Sequence, residues 1–292
     1  MLLVKIKSEM QFNGELTRLV AIMRDISIAQ YHLLEKRKDS YKKFVKVLNG
    51  FFKTIDFVKT EHPLVKGNPD APTGIIIVTS DLGFMGGLNT KIISVALEKY
   101  NLEYKRNVKF CPELIIIGQK GAAYLKDLGY KFKFFPGISI EKEENIARIS
   151  ALRDYLVEQV IKARLGSVVL FYPKPLLFVV QQVEMVKLIP FTELFKREEK
   201  TASGEGAPIL ESSLNHIAEY LAALWLEHLL YDIFEESKLS EFAARAMYLE
   251  GSYQELEHTN IDLRFKYFRA CHELVDKNMR ETFAANILIG HD

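Results

Sequence analysis

Proline is missing where it would matter most in this chain: none of its 9 prolines lies beyond Pro208. Between Glu211 and Asn286 there is also only one glycine, Gly251, so nothing in that stretch compels a helix to stop. Cysteine is scarce as well. Cys111 and Cys271 are the only two, without motif spacing, which excludes a disulfide framework and points to a reducing compartment. Charge of one sign is not in excess: a net charge of +1 leaves no basic surplus, so nucleic acid is not an expected partner. No run approaches the roughly eighteen apolar residues of a membrane span, and Met1-Leu2-Leu3-Val4-Lys5 lacks the hydrophobic stretch and cleavage site of a signal peptide. These absences lead to the expectation of a soluble, intracellular protein.

The composition that remains is globular, 48% hydrophobic and 26% charged over 292 residues, enough for one large domain or two smaller ones. The proline-free stretch would reach roughly 110 Å as one continuous helix. Its second half repeats Phe242, Ala246, Leu249, Tyr253, Leu256, Asn260, Leu263, Tyr267, Ala270 and Leu274 at alternating spacings of four and three. Such a narrow stripe is the seam of a left-handed coiled coil, since it keeps one face aimed at a partner helix. Phe12, Leu16, Leu19, Met23, Ile26, Gln30 and Leu33 have the same spacing near the other terminus, and after a slip at Arg37–Ser40 it resumes from Tyr41 to Val58. The two terminal helices are natural partners. A polar residue, Gln30 or Asn260, interrupts each stripe and could fix the register.

His62-Pro63 and the Gly67–Pro72 segment mark a break, after which the pattern changes. Gly74–Ser80, Leu114–Gly118, Tyr130–Phe135, Ser167–Tyr172 and Leu176–Leu188 read as strands, the last two separated by Pro173-Lys174-Pro175. Helices are predicted over Gly87–Tyr100, Gly121–Leu128 and Lys142–Ala163, and alternation of this kind implies a mostly parallel sheet. Thr201–Pro208 reads as a flexible linker. Between Ile217 and Phe234 the last helix is apolar on nearly every face, which predicts burial against the α/β layer. The expected fold is therefore α/β, a Rossmann-like domain with a five-stranded sheet beside a long antiparallel coiled coil. The expected divisions are 1–62 for the first helix, 72–200 for the α/β domain and 209–288 for the last helix.

The most distinctive local motif is the loop Thr79–Asn89, carrying Asp81, Gly83, Gly86, Gly87, Leu88 and Asn89. Glycines between a strand and a helix could cradle phosphate on the helix N-terminus. The spacing is neither the Walker pattern nor the dinucleotide fingerprint, and no lysine follows the glycines. A tight turn needing positive φ or close packing explains the same residues. The seven histidines show no ligand spacing, and no HExxH, GxSxG or cysteine cluster occurs. No catalytic residue, metal site or cofactor site is expected.

Asp81-Leu82-Gly83-Phe84-Met85-Gly86-Gly87-Leu88-Asn89 resembles the SDRGLCGGLN signature of the gamma subunit of F-type ATP synthases. Ile117–Gly121 with Gly129-Tyr130, Leu188-Ile189-Pro190, and Glu227, Tyr231, Glu236 with Ser240–Arg245 are similar to further family segments in the same order. Tyr267, Arg269 and Ala270 fall on its YNRAR pattern; Met23, Ile26, Ser27 and Ala29 fit AMKMVSAAK. The resemblance implies a rotor shaft: an antiparallel coiled coil inside a hexamer of alpha and beta subunits. The α/β domain would lie against the epsilon subunit and the ring of c subunits. It implies a non-catalytic subunit, peripheral on the cytoplasmic face of the cell membrane, which couples ion translocation to ATP synthesis or hydrolysis. Contacts with the catalytic ring are expected at Met23, Arg24, Arg245 and Arg269. Cys271-His272 stand where the family has Arg-Gln, and Ser252–Leu256 replace its ATDNA stretch, so the upper shaft departs most from the pattern. Neither the chloroplast dithiol insertion nor a cleavable presequence is visible, which points to a bacterial type. A free-standing nucleotide- or metabolite-binding protein using the glycine loop, or a coiled-coil adaptor on the same fold, are the alternatives.

Overall fold

The computed structural model describes residues 2–37, 62–106, 110–139, 141–191 and 213–289. The stripe expected from Tyr41 to Val58 and the linker expected at Thr201–Pro208 lie outside the described residues. In chain order the elements are α1 (Leu2–Arg37), α2 (Pro63–Lys66), β1 (Thr73–Val78), α3 (Leu88–Arg106), β2 (Glu113–Ile117) and α4 (Gln119–Asp127). They continue with β3 (Lys133–Phe135), α5 (Lys142–Ile161), β4 (Ser167–Leu177), β5 (Val180–Ile189) and α6 (Leu214–Ile289). The chain divides into two compact units, Met1–Ile28 with Ala246–Asp292, and Ala29–Arg245. Among the described residues no helix is long and apolar enough to cross a membrane.

The larger unit is built on a five-stranded sheet of order β3-β2-β1-β4-β5. The pairs β1–β2, β1–β4 and β2–β3 are parallel, with Ile76 opposite both Ile115 and Leu170, and β5 returns antiparallel to β4. Ile75, Ile76, Ile77 and Val78 are wholly buried because the central strand is covered on both faces, the situation that selects unbroken β-branched runs. On one face Ile76, Val78, Ile115 and Leu170 pack with Leu152, Leu156 and Val160 of α5 and Ala222, Leu226, Leu230 and Ile233 of α6. On the other, Ile75, Ile77, Ile116 and Phe171 pack with Ile92, Ile93 and Ala96 of α3 and Leu125 of α4. Each such side chain contributes about 1.5–3 kcal/mol when buried. Val65, Ala218, Ile217, Leu221 and Trp225 form a further cluster on α6, which accounts for apolar residues all round its first turns.

One boundary differs from the sequence reading. Pro173-Lys174-Pro175 does not separate two strands; it lies inside β4, opposite Val183, Gln182 and Gln181 of β5, and the hairpin turns at Phe178-Val179. The pairing of β4 with β1 ends at Phe171. Beyond it β4 has no strand neighbour on that side among the described residues, so prolines two residues apart direct their missing N–H groups to the same edge and break no ladder there.

The smaller unit pairs the start of α1 with the end of α6. Asn13 bonds Leu256 and Asn260 while Arg24 bonds Glu250, so numbering rises along one helix as it falls along the other, and the pairing is antiparallel. The seam on α6 is as expected through Ala246, Leu249, Leu263 and Ala270, all buried, but Leu274 is exposed. The seam on α1 is not. Phe12, Leu19, Ile26 and Leu33 are 68%, 54%, 55% and 51% exposed, and the inward stripe is one residue later, through Asn13, Thr17, Val20, Arg24 and Ser27, continuing in the larger unit as Tyr31 and Leu34. One residue is about 100° of helix rotation. The largest apolar residues share the same four-three spacing, so periodicity alone selected the outer ridge in place of the more polar seam.

Burial sets the expected mutational contrast. Leu249→Ala, at a position 1% exposed, lowers stability by about 2–5 kcal/mol, whereas Leu19→Ala on the ridge stays within about 0.5 kcal/mol. Urea unfolding of the two variants measures the difference directly.

Candidate functional site

The glycine loop between β1 and α3 is organised by its own polar groups. Ser80 N donates to Asn89 Oδ1 at 3.3 Å, Asn89 Nδ2 donates back to Ser80 Oγ at 2.9 Å, and Ser80 Oγ donates to Leu82 O at 2.6 Å. Asp81 Oδ1 accepts from Gln119 N at 2.8 Å, which places a carboxylate on the first turn of α4, where the helix dipole favours it. Gly86 has φ 57° and Phe84 has φ 65°, a conformation that costs an L side chain about 1–2 kcal/mol. A Cβ would meet open space at Gly87 and only ordinary contact with the Lys120 side chain, at 3.9 Å, at Gly83. The close approach is at Gly137, after β3, where a Cβ would lie 2.4 Å from the Asp81 carboxylate. The loop therefore behaves as a tight turn that supplies its own anion. Leu82 and Phe84 point outward from it, more than half exposed, while Met85 and Leu88 are buried.

The winding of the sheet reverses between β1 and β4, and in open α/β sheets ligands take the crevice beyond the strands at such a point. Here the loops leaving β1 and β3 hold a helix. Lys238 Nζ donates to Ile138 O at 3.1 Å and to Glu241 Oε2 at 3.0 Å. Arg245 Nη2 donates to Glu241 Oε1 at 2.6 Å, and its Nε donates to Gly83 O at 3.2 Å. Lys238, Glu241 and Arg245 are 7%, 5% and 5% exposed, so one buried carboxylate is shared by two buried cations. Below them Tyr172 Oη donates to Glu236 Oε2 at 2.9 Å, and above the hairpin Phe178 meets Tyr31 edge-on at 4.8 Å. Burial and the Glu236 charge raise the Tyr172 pKa, so that phenol stays a donor.

Of the residues singled out from the sequence, the structure joins Arg245 to the loop through Gly83. Met23, Arg24 and Arg269 lie on the coil. Arg24 reaches Glu250 Oε2 at 2.8 Å and Asp25 Oδ1 at 2.9 Å and sits 5.0 Å from the centre of the Tyr253 ring. Among the described residues Arg269 is paired along its own helix, with Glu273 at 3.0 Å, and its side chain is 83% exposed. Asn260 does not meet Gln30: it accepts from Asn13 Nδ2 at 2.9 Å and donates to Thr17 Oγ1 at 3.1 Å, and Thr17 Oγ1 donates to Asn13 O at 2.7 Å. Each polar group in this layer of the seam is satisfied by another. Lys238, Gly137, Asn13 and Thr17 were missed from the sequence. The spacing of Lys238, Glu241 and Arg245 at i, i+3 and i+7, one face of a helix, was the signal available for the first of them. Among the described residues no group of three or more His, Cys, Asp or Glu gathers as a metal site would.

Two measurements test this geometry. Gly137→Ala drives a methyl into the Asp81 carboxylate and is expected to lower stability by about 1–3 kcal/mol, read as a shift in the urea midpoint. The Glu250 pKa is lowered, first by the hydrogen bond from Gln254 and then by Arg24. Its contribution is therefore complete above the ordinary glutamate range and is lost as pH falls through the depressed value. Melting temperature scanned downward from pH ~6 should drop less steeply in Glu250→Gln than in the parent.

The comparisons with known proteins follow this geometry. A family model described as ATP synthase matches residues 3–282. The ATP synthase gamma chain of Streptococcus equi subsp. zooepidemicus is 23% identical over 294 residues, covering 98% of this chain and 98% of the relative. That of Clostridium acetobutylicum is 27% identical over 248 residues, covering 85% of this chain and 83% of the relative. In fold, the chain is similar to one in the rotor of the Euglena gracilis mitochondrial ATP synthase in rotational state 1, with TM-score 0.61, 16% identity and coverage of 94% and 98%. It is also similar to a chain in the OSCP/F1/c-ring structure of that enzyme in rotational state 3, with TM-score 0.66, 14% identity and coverage of 98% and 94%. With nearly the whole length matched, the chain belongs to the ATP synthase family as a gamma chain, the central-stalk subunit of an F-type enzyme.

Proposed function

We propose that this chain is the turning shaft of its enzyme, carrying torque between a membrane ring of c subunits and a catalytic hexamer of alpha and beta subunits. It performs no chemistry itself, since ATP is made or hydrolysed at the beta subunits, and rotation of the shaft opens and closes those sites in turn. The α/β layer of residues 72–200 meets the epsilon subunit and the c-ring, and the terminal segments, 1–62 and 209–288, form the shaft. The assembly lies on the cytoplasmic face of the cell membrane, held there through its other subunits, and ion translocation is the coupled process.

The supporting observation is the outward apolar ridge of the coil, set against a seam that is largely polar on α1. Its seam contains Asn13, Thr17, Arg24, Ser27 and Asn260, whereas Phe12, Leu19, Ile22 and Ile26 on α1 and Phe265, Phe268, Met279 and Phe283 on α6 face outward. A coil standing free in water has the opposite distribution, and exposed apolar surface on this scale marks a region built to be enclosed by another protein. An apolar sleeve gives close packing without fixed partners, so a shaft can turn in it. Contacts with the ring are proposed at Met23, Arg24, Arg245 and Arg269, polar at the three arginines. Arg269 is exposed beside its Glu273 partner, and Arg24, Arg245 and Arg269 would all share their guanidinium groups with the carboxylates they already hold.

Two variants test the sleeve and the contact separately. Phe12→Ser with Leu19→Ser leaves the unfolding midpoint of the isolated chain almost unchanged but reduces recovery of alpha and beta subunits on affinity purification several-fold. Arg269→Ala is expected to assemble normally and to slow steady-state ATP hydrolysis by the complex. Full recovery and unchanged turnover would count against the reading.

A further inference from the structure

We propose that Lys238, Glu241 and Arg245 form an angular lock that fixes the rotation of α6 about its own axis relative to the sheet, with Lys238 as its positioning residue. The proposal rests on the shaft reading above and names the joint through which that shaft is driven. The three residues are spaced three and four apart and share one face of α6. They reach two different loops, Arg245 to Gly83 O after β1 and Lys238 to Ile138 O after β3. Two anchors seven residues apart are about 10 Å apart along the axis.

Much of the remaining α6 contact in this unit is apolar: Ala222, Leu226, Leu230, Ile233 and Phe234 against the sheet, and Leu239, Phe242 and Ala243 against Tyr31 and Leu34. Other polar ties, Glu227 to Arg153 and Ser150 and Glu236 to Tyr172, run from side chain to side chain, and both ends can swing with a small roll. Apolar burial is non-directional, so it resists separation of a helix far more than rolling. Hydrogen bonds weaken steeply as their angle departs from linear, so the bonds to two backbone carbonyls, whose acceptors are fixed in place, add the stiffest resistance to roll. Glu241 ties the two cations to each other, at 3.0 Å and 2.6 Å, and makes them one unit. The floor is stiff as well. Asp81, two residues before Gly83, packs on Gly137, one residue before Ile138, so the two anchored loops brace each other.

Stability alone does not explain the arrangement. Burying a carboxylate between two cations leaves one net charge away from water, and apolar residues of equal volume often serve stability as well or better. What apolar replacements would not supply is a single fixed angle. A helix that must turn with the sheet needs that angle, because each degree of roll is rotation that does not reach the rest of α6.

The test uses the whole membrane enzyme in vesicles and measures ions pumped per ATP hydrolysed, beside the amount of assembled complex. Lys238→Met keeps the length and apolar stem but removes both bonds. It is expected to lower the pumping-to-hydrolysis ratio at least twofold, with ATP hydrolysis per complex maintained, and Lys238→Arg is expected to restore most of the ratio. A purely structural role would reduce the amount of complex and both activities together, leaving the ratio fixed. A parental ratio in Lys238→Met, or an equal loss in Lys238→Arg, overturns the lock. If Lys238→Met does not assemble, Glu241→Gln, which keeps the shape and withdraws the shared charge, is read in the same way: a halved ratio supports the lock and a parental ratio overturns it. A parent chain that forms no ATP-driven pump would instead overturn the shaft reading, and the lock with it.

Discussion

A helix of 76 residues is not held together by its own hydrogen bonds in water, and this constraint governs everything around α6. Each length of it needs an apolar face covered by something else. The first turns are covered on two sides, by the sheet through Leu226 and Leu230 and by α2 through Val65 and Ala218. The turns around Leu239 and Phe242 are covered by α1 and the β4–β5 hairpin. From Ala246 onward the helix has a single buried stripe facing α1. One unbroken backbone therefore passes through three environments, and its sequence changes from apolar all round, to apolar with buried charge, to a narrow seam.

Much of the α/β layer was legible because its central strands are buried on both faces. Ile75–Val78 and Leu114–Ile117 admit no other economical explanation, and the helices between them follow from the need for parallel crossovers. The hairpin was less legible. Pro173 and Pro175 look like punctuation until the register shows that β1 has already ended beside them. The coil was legible as a coil and in phase on α6, but not on α1, because Phe12, Leu19 and Ile26 have the same repeat as the true seam and more apolar surface. Periodicity reports that a stripe exists; which of two stripes meets the partner helix depends on the groups that helix presents, here the Leu256 carbonyl and the Asn260 and Glu250 side chains.

The site illustrates the same limit. The signature loop could be located from Asp81 to Asn89, and the tight-turn reading of its glycines agrees with the self-satisfied bonds of Ser80, Asp81 and Asn89. Its real spatial partners, Gly137 and Arg245, are distant in sequence, and no local pattern brings them together. Lys238 received no attention because a lone lysine in a helix is usually solvated; only its burial against Ile138 O shows otherwise.

The outward ridge of α1 also bears on the life of the chain before assembly. Phe12, Leu19, Ile22 and Ile26 remain in water for as long as no sleeve encloses them, and Phe265, Phe268 and Phe283 do the same on α6. Surfaces of that kind associate indiscriminately, with copies of themselves or with any sticky neighbour. An orphan gamma chain is thus a hazard in proportion to its concentration and lifetime. On the shaft reading proposed above, the same polarity requires that synthesis of the chain be matched to that of the subunits that enclose it.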